Sequence, residues 1–126
     1  MARILVVEDN PQNLKLATVI LRDLGHTVEG APDAEEAEKR IAAIRPDLIL
    51  MDLGLPGKDG YTFARELRTR PETEKIPILA VTSYAMRGDR EKAMEAGCSG
   101  YLTKPIARRD LIQVVTDLLS PAMVLQ

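Results

Sequence analysis

The 126-residue chain has one cysteine, one histidine, no tryptophan and only 3% aromatic residues. A lone Cys98 cannot close an internal disulfide, so a cross-linked secreted scaffold is excluded. One imidazole and one thiol cannot build a nitrogen–sulfur metal centre. Charge of one sign is lacking too: 17 Lys+Arg face 19 Asp+Glu, a net charge of −2. That balance gives no pull toward nucleic-acid phosphates or anionic lipid, so no direct nucleic-acid or membrane partner is expected. No apolar run approaches the roughly 18 residues that cross a bilayer. Nothing like a secretory signal opens the chain. Hydrophobic residues make up 45% of the sequence, and its length suits one compact domain. The expectation is a cytoplasmic protein of a single domain.

The hydrophobic period changes repeatedly along the chain. Arg3–Val7 is a short continuous apolar run, too short for a helix, and it stops at Glu8-Asp9. Asn10-Pro11 then reads as an N-cap with proline at the first helical position. Leu14, Ala17, Leu21 and Leu24 form one stripe, and Gly25 stops it. Thr27–Ala31 is a weaker strand, and Asp33 caps a helix carrying Ala34, Ala37, Ile41 and Ile44. That helix must end before Arg45-Pro46, because the residue before a proline avoids the α region. Asp47–Met51 is the third strand, ended by Asp52, and Leu53–Gly60 is a loop with three glycines. A helix over Tyr61–Thr69, a strand over Ile76–Val81, a thinly apolar helix over Arg87–Ala96 and a strand over Ser99–Leu102 follow. The last helix, Arg108–Leu119, shows Leu111, Val114, Val115, Leu118 and Leu119 on one side. Five strand–helix alternations, with strands apolar on both faces, predict a doubly wound α/β domain around a parallel sheet. Its core would span about residues 3–119 of a single domain over 1–126, with a short tail at 120–126.

Ligands of such sheets bind beyond the carboxyl ends of the strands. Glu8 and Asp9 stand at the first end, Asp52 at the third, Thr82 and Ser83 at the fourth, and Lys104 beyond the fifth. Singly, each is an ordinary cap or solvated residue. Together they would crowd three carboxylates into one crevice, where mutual repulsion calls for a cation. Oxygen-only ligands suit a hard ion such as Mg²⁺, with Mn²⁺ as an alternative. The lysine suits an incoming phosphoryl group, toward which a carboxylate beside two cations is a competent nucleophile.

Glu8-Asp9, Asp52 with Pro56 four residues on, Gly60, Thr82 and Lys104-Pro105 together resemble the receiver domain of two-component response regulators. The resemblance covers residues 3 to about 119 and implies strand order 2-1-3-4-5, as in the chemotaxis receivers (flavodoxin-like). It implies that Asp52 is the phosphoacceptor, that Asp9 ligates the ion and that Glu8 holds its water shell. It further implies the Gly54 backbone carbonyl as a ligand and Lys104 as partner of the phosphoryl group, or of Asp52 in its absence. Thr82 would donate to a phosphoryl oxygen, Tyr101 would be the aromatic switch, and the Lys104–Pro105 peptide would be cis. Such a protein takes phosphoryl groups from a sensor histidine kinase or a histidine phosphotransfer protein. It assists its own phosphorylation and dephosphorylation but is not a turnover enzyme. It would meet a downstream protein through the face of its fourth helix, fifth strand and last helix, as a monomer or weak dimer. Gly54 and Leu55 depart from the common pattern, implying an open outer rim at the acceptor, and Ser83 stands where alanine is preferred.

Two alternatives remain open for the whole molecule. Met1 lies two residues before the first strand and few residues follow the last helix, which favours a stand-alone regulator over a module excised from a hybrid histidine kinase. An Mg²⁺-dependent phosphohydrolase with an aspartyl-phosphate intermediate would need a second carboxylate at Gly54. Elsewhere, Cys98 is expected to be a small buried residue and His26 a solvated one. Arg87, Arg90, Arg108 and Arg109 should form a solvated face, and Met86 with Met94 should pack partly into the core.

Overall fold

The computed structural model describes residues 1–83 and 86–120. Strands β1 (Arg3–Val7), β2 (Thr27–Ala31), β3 (Leu48–Asp52), β4 (Ile78–Thr82) and β5 (Gly100–Thr103) alternate with five helices. The helices are α1 (Pro11–Asp23), α2 (Ala34–Ile44), α3 (Gly60–Arg68), α4 (Asp89–Glu95) and α5 (Arg108–Leu119). All strand pairs are parallel, in the order β2-β1-β3-β4-β5. The expected tail lies, after Ser120, outside the described residues.

Side chains of a strand alternate between faces, and here both faces are covered. Leu5, Val7, Ile49, Met51, Ile78 and Ala80 pack against Ala34, Ala37 and Ile41 of α2 and against Phe63, Ala64 and Leu67 of α3. Ile4, Val6, Leu48, Leu50, Leu79 and Val81 pack on the other side against Ala17, Ile20 and Leu21 of α1 and Leu111 and Val115 of α5. The strands are therefore continuous apolar runs, and their first polar residues fall where the sheet ends.

Local chemistry sets the element boundaries. Asn10 caps α1 by accepting the Gln12 and Asn13 N–H groups at 2.9 and 3.1 Å. Asp59 caps α3 through Thr62 N–H at 2.9 Å, which starts that helix one residue before the expected Tyr61. Arg45 ends α2 as anticipated; with φ +48° it takes the left-handed conformation, and its N–H still reaches the Ile41 carbonyl. β3 begins at Leu48 because the Asp47 carboxylate turns outward to accept the Arg3 N–H at 2.8 Å. β4 starts at Ile78, two residues later than expected, since the Ile76 N–H is spent on a turn to the Thr73 carbonyl and Pro77 has none. β5 runs one residue later than expected, and α4 is shorter than Arg87–Ala96 because Gly88, at φ +89°, sets its start.

Two expectations about single side chains fail. Met86, in the segment ahead of α4, and Met94, on the outer side of a helix that buries Ala93, are 72% and 40% exposed, outside the core. Leu55 is buried in the core, while Gly54 is exposed and lines the crevice. His26 is half-buried, not solvated, and its Nδ1 accepts the Ala2 N–H at 3.2 Å. Cys98 is buried as expected, and burial pushes its thiol up to about 11.

The His26 environment sets a pH dependence. Burial, aided by the nearby Met1 ammonium, lowers its pKa from 6.5. The folded protein then binds that proton less readily than the unfolded chain, so the contribution is full above 6.5 and is lost as pH falls through the lowered value. The melting temperature is expected to drop less on acidification in His26→Gln than in the wild type. Parallel pH–melting curves for the two proteins would refute this.

Candidate functional site

The chain passes from β1 outward to β2 and then returns to β3 on the other side of β1, so the switch point lies between β1 and β3. Register places Val7 beside Met51, Asp52 beside Val81 and Thr82 beside Thr103. The residues that end these strands therefore share one rim. Glu8, Asp9, Asn10, Asn13, Asp52, Gly54, Thr82, Ser83 and Lys104 line a crevice of about 220 Å³ there.

Glu8, Asp52 and Thr82 are buried at its floor, whereas Asp9 is exposed at its edge. One carboxylate oxygen from each of Glu8, Asp9 and Asp52 lies within 4.8 Å of the others. Lys104 reaches across them. Its Nζ is 2.6 Å from Glu8 Oε1 and 3.2 Å from Asp52 Oδ2. The resemblance implied the pairing with Asp52; the shorter contact, to Glu8, was not anticipated. Asp52 Oδ1 accepts the Gly54 N–H at 3.0 Å, and Glu8 Oε2 accepts the Asn10 N–H at 3.1 Å. The Lys104 N–H donates to the Thr82 carbonyl at 2.8 Å, and the Lys104–Pro105 peptide is cis.

The electrostatics follow from one ammonium facing three carboxylates. Burial works to lower the Lys104 pKa, but its hydrogen bond to Glu8 and the charges of Asp52 and Glu8 outweigh it, so the ammonium is held above its usual range. Burial pushes the Glu8 carboxyl up, and the hydrogen bonds from Lys104 and Asn10 offset this only in part. Carboxylates remain in excess over the cation. An all-oxygen cluster of that kind fits a hard divalent ion, which would relieve the repulsion.

Most of the anticipated residues converge here. Tyr101 does not line the crevice; it is half-buried and packs against the α2–α3–α4 side of the core. Gly54 is exposed and brings no second carboxylate, so the general acid of a phosphohydrolase is lacking at that position. Asn10 and Asn13 were not anticipated as site residues. Asn10 was legible only as a helix cap, and nothing marks Asn13 except its place one turn into α1.

Gly60 supports the acceptor from below. A Cβ there would lie 2.7 Å from the Asp52 carbonyl oxygen and 2.8 Å from Leu53 Cα, both backbone atoms that cannot swing aside. Gly60→Ala is therefore expected to cost about 2 kcal/mol of stability, the scale of an overpacked core. Urea unfolding measures this; an unchanged midpoint would show that the loop yields freely.

This fold and rim define a protein of the two-component signalling class. Residues 4–116 match the response regulator receiver domain, and the chain belongs to that family. It is 35% identical over 119 residues to the polar-differentiation response regulator DivK of Brucella anthropi, covering 94% of this chain and 97% of that protein. It is 39% identical over 108 residues to the signal transduction histidine-protein kinase BarA of Escherichia coli. There it covers 86% of this chain but spans only 12% of the kinase. The receiver domain of a Pseudomonas aeruginosa sensor histidine kinase, solved with a magnesium ion in its active-site cleft, matches with a TM-score of 0.85 at 39% identity. That match covers 94% of this chain and 97% of the other. No helix among the described residues is long and apolar enough to cross a membrane.

Proposed function

We propose that this protein is a phosphorylatable switch in which Asp52 accepts a phosphoryl group from the phosphohistidine of a sensor kinase or phosphotransfer protein. A carboxylate oxygen of Asp52 attacks phosphorus, the phosphorus–nitrogen bond breaks, and the departing imidazole keeps the electron pair and takes a proton. Glu8, Asp9, Asp52 and the Gly54 carbonyl would hold Mg²⁺, with Mn²⁺ as a substitute. The ion supplies charge neutralisation at the phosphoryl oxygens. Lys104 turns from its two carboxylates to the phosphoryl group, and Thr82 donates its hydroxyl to another phosphoryl oxygen. Tyr101 then moves inward, altering the α4–β5–α5 surface that meets a downstream protein. Phosphorylation then acts as a shift of population from the resting to the switched form.

The observation that carries this reading is the meeting of three carboxylates with one bridging ammonium at the switch point. The protein assists its own phosphoryl exchange in the cytoplasm as a single domain over about residues 3–119, and it turns over no separate substrate. Similarity to DivK over nearly its whole length supports a stand-alone regulator. The higher identity to a kinase-borne receiver supports a second reading, a module of a hybrid kinase.

Asp9→Ala tests the metal assignment. Mg²⁺ relies on few protein carboxylates, so losing one ligand is expected to weaken binding by about tenfold or more and to slow phosphorylation by acetyl phosphate in parallel. Equal Mg²⁺ affinity in mutant and wild type would refute the assignment.

A further inference from the structure

Helix α4 is thinly held. Along its length it buries Ala93 alone, and its start at Gly88 has no side-chain cap. An element with so little packing sits at the low-stability end of a fold, where one or two contacts decide its position. Beyond its packing on β5, two side-chain ties to it come from α3.

At its carboxyl end the tie is rigid. Arg68 lies against the turn after α4, its Nε donating to the Gly97 carbonyl at 2.8 Å and its Nη1 to the Glu74 carbonyl at 3.0 Å. Gly97 has φ +104°, and a Cβ there would meet Arg68 Cγ at 2.5 Å, so the two surfaces are fitted together. The other tie is made by the Tyr61 side chain. Lys92 Nζ stands 4.7 Å from the centroid of the Tyr61 ring, which is packed against the same core cluster as Tyr101. Asp89, the first residue of α4, accepts the Met86 N–H at 2.8 Å, which joins the helix to the loop leaving β4. Burial first, then the charges of Asp89 and Tyr101 and a hydrogen bond to the Asp89 carboxylate, raise the Tyr61 phenol, so the tyrosine meets α4 at Asp89 as well as at Lys92.

We propose that Tyr61 is a positioning residue of the switch: its ring beneath the Lys92 ammonium latches α4 in the resting arrangement while Arg68 pins the helix's far end. This rests on the phosphoacceptor reading above. A surface change carried by α4 must lift Lys92 off the ring, so the latch opposes switching and weakens every ligand that favours the switched form. Tyr61 touches neither the crevice nor the phosphoryl group; it acts through α4.

The test is beryllofluoride binding to the full chain in excess Mg²⁺, followed by the backbone amide signals of Thr82 and Lys104. A surface cation–π contact corresponds to an expected gain in affinity of about threefold for Tyr61→Leu and for Lys92→Met. The double variant should gain no more than Tyr61→Leu alone, and Tyr61→Phe, which keeps the ring and loses only the hydrogen bond to Asp89, should gain less than Tyr61→Leu. Hydrogen exchange in α4 should quicken in the unliganded leucine variant. A purely structural role would lower the melting temperature and leave beryllofluoride affinity unchanged, which would overturn the latch. If Tyr61→Leu does not fold, Lys92→Met alone decides. A wild type that binds beryllofluoride no better than Asp52→Asn would overturn the phosphoacceptor reading, and the latch with it.

Discussion

Asp52→Asn is expected to reduce acid-labile, hydroxylamine-sensitive phosphate incorporation from a small phosphodonor to background while leaving the fold intact. The amide is isosteric but has no oxygen able to attack phosphorus. Its remaining oxygen can still accept the Gly54 N–H, which Asp52 Oδ1 does at 3.0 Å. Lys104 keeps its shorter contact, 2.6 Å to Glu8. Removing one of three mutually repelling carboxylates also relieves the site when no divalent ion is present. The melting temperature in metal-free buffer should therefore equal or exceed that of the wild type. Incorporation of acyl phosphate into the mutant would place the acceptor elsewhere, and a large fall in melting temperature would mean that the Lys104–Asp52 pair matters more than the repulsion.

Lys104→Ala has two expected effects. One follows from burial: the Lys104, Glu8 and Asp52 side chains are 11%, 7% and 9% exposed. Removing the ammonium leaves Glu8 and Asp52 uncompensated in a poorly solvated crevice, at an expected cost of about 3 kcal/mol. Mg²⁺ should recover much of that loss, since it can neutralise the same carboxylates. Urea unfolding with and without Mg²⁺ measures both quantities, and a metal-independent loss would contradict the account. The other effect is on coupling. With Mg²⁺ present Asp52 still accepts phosphoryl groups, though more slowly, but nothing anchors the phosphoryl oxygen on the β5 side. Tyr101 should then keep its resting, half-buried position at full phosphorylation, and affinity for the downstream protein should stay near its resting value. Equal affinity gains in mutant and wild type, at matched phosphorylation or with beryllofluoride, would limit Lys104 to an electrostatic aid.

Much of this site is legible without coordinates because of where its residues fall. Glu8, Asp52 and Thr82 each stand at the end of a continuous apolar run, and in a parallel sheet such ends share one edge. Alternation of strand and helix specifies the layers, and Asn10, Asp33 and the Arg45-Pro46 pair specify helix ends, because caps and prolines act within a turn of chain. The resemblance supplied the roles and the strand order, neither of which spacing alone contains.

What escaped the sequence depends on contacts between distant segments. Leu55 turns from its loop into the core cluster, whereas Met86, ahead of α4, and Met94, on it, stay exposed. His26 lies half-buried against Ala2, a neighbour that only the docking of the turn before β2 onto β1 creates. That Lys104 sits closer to Glu8 than to Asp52 is decided by the side-by-side ends of β1, β3 and β5, with Glu8 turned to the floor and Asp9 to the edge. The contacts of Arg68 with Gly97 and of Lys92 with Tyr61 join helix α3 to the α4 region. Local pattern determines which residues end a strand or cap a helix, since those effects act over a few bonds. Which of the gathered charges touch, and which side chains hold a loosely packed helix, is settled by distances that only the assembled layers define.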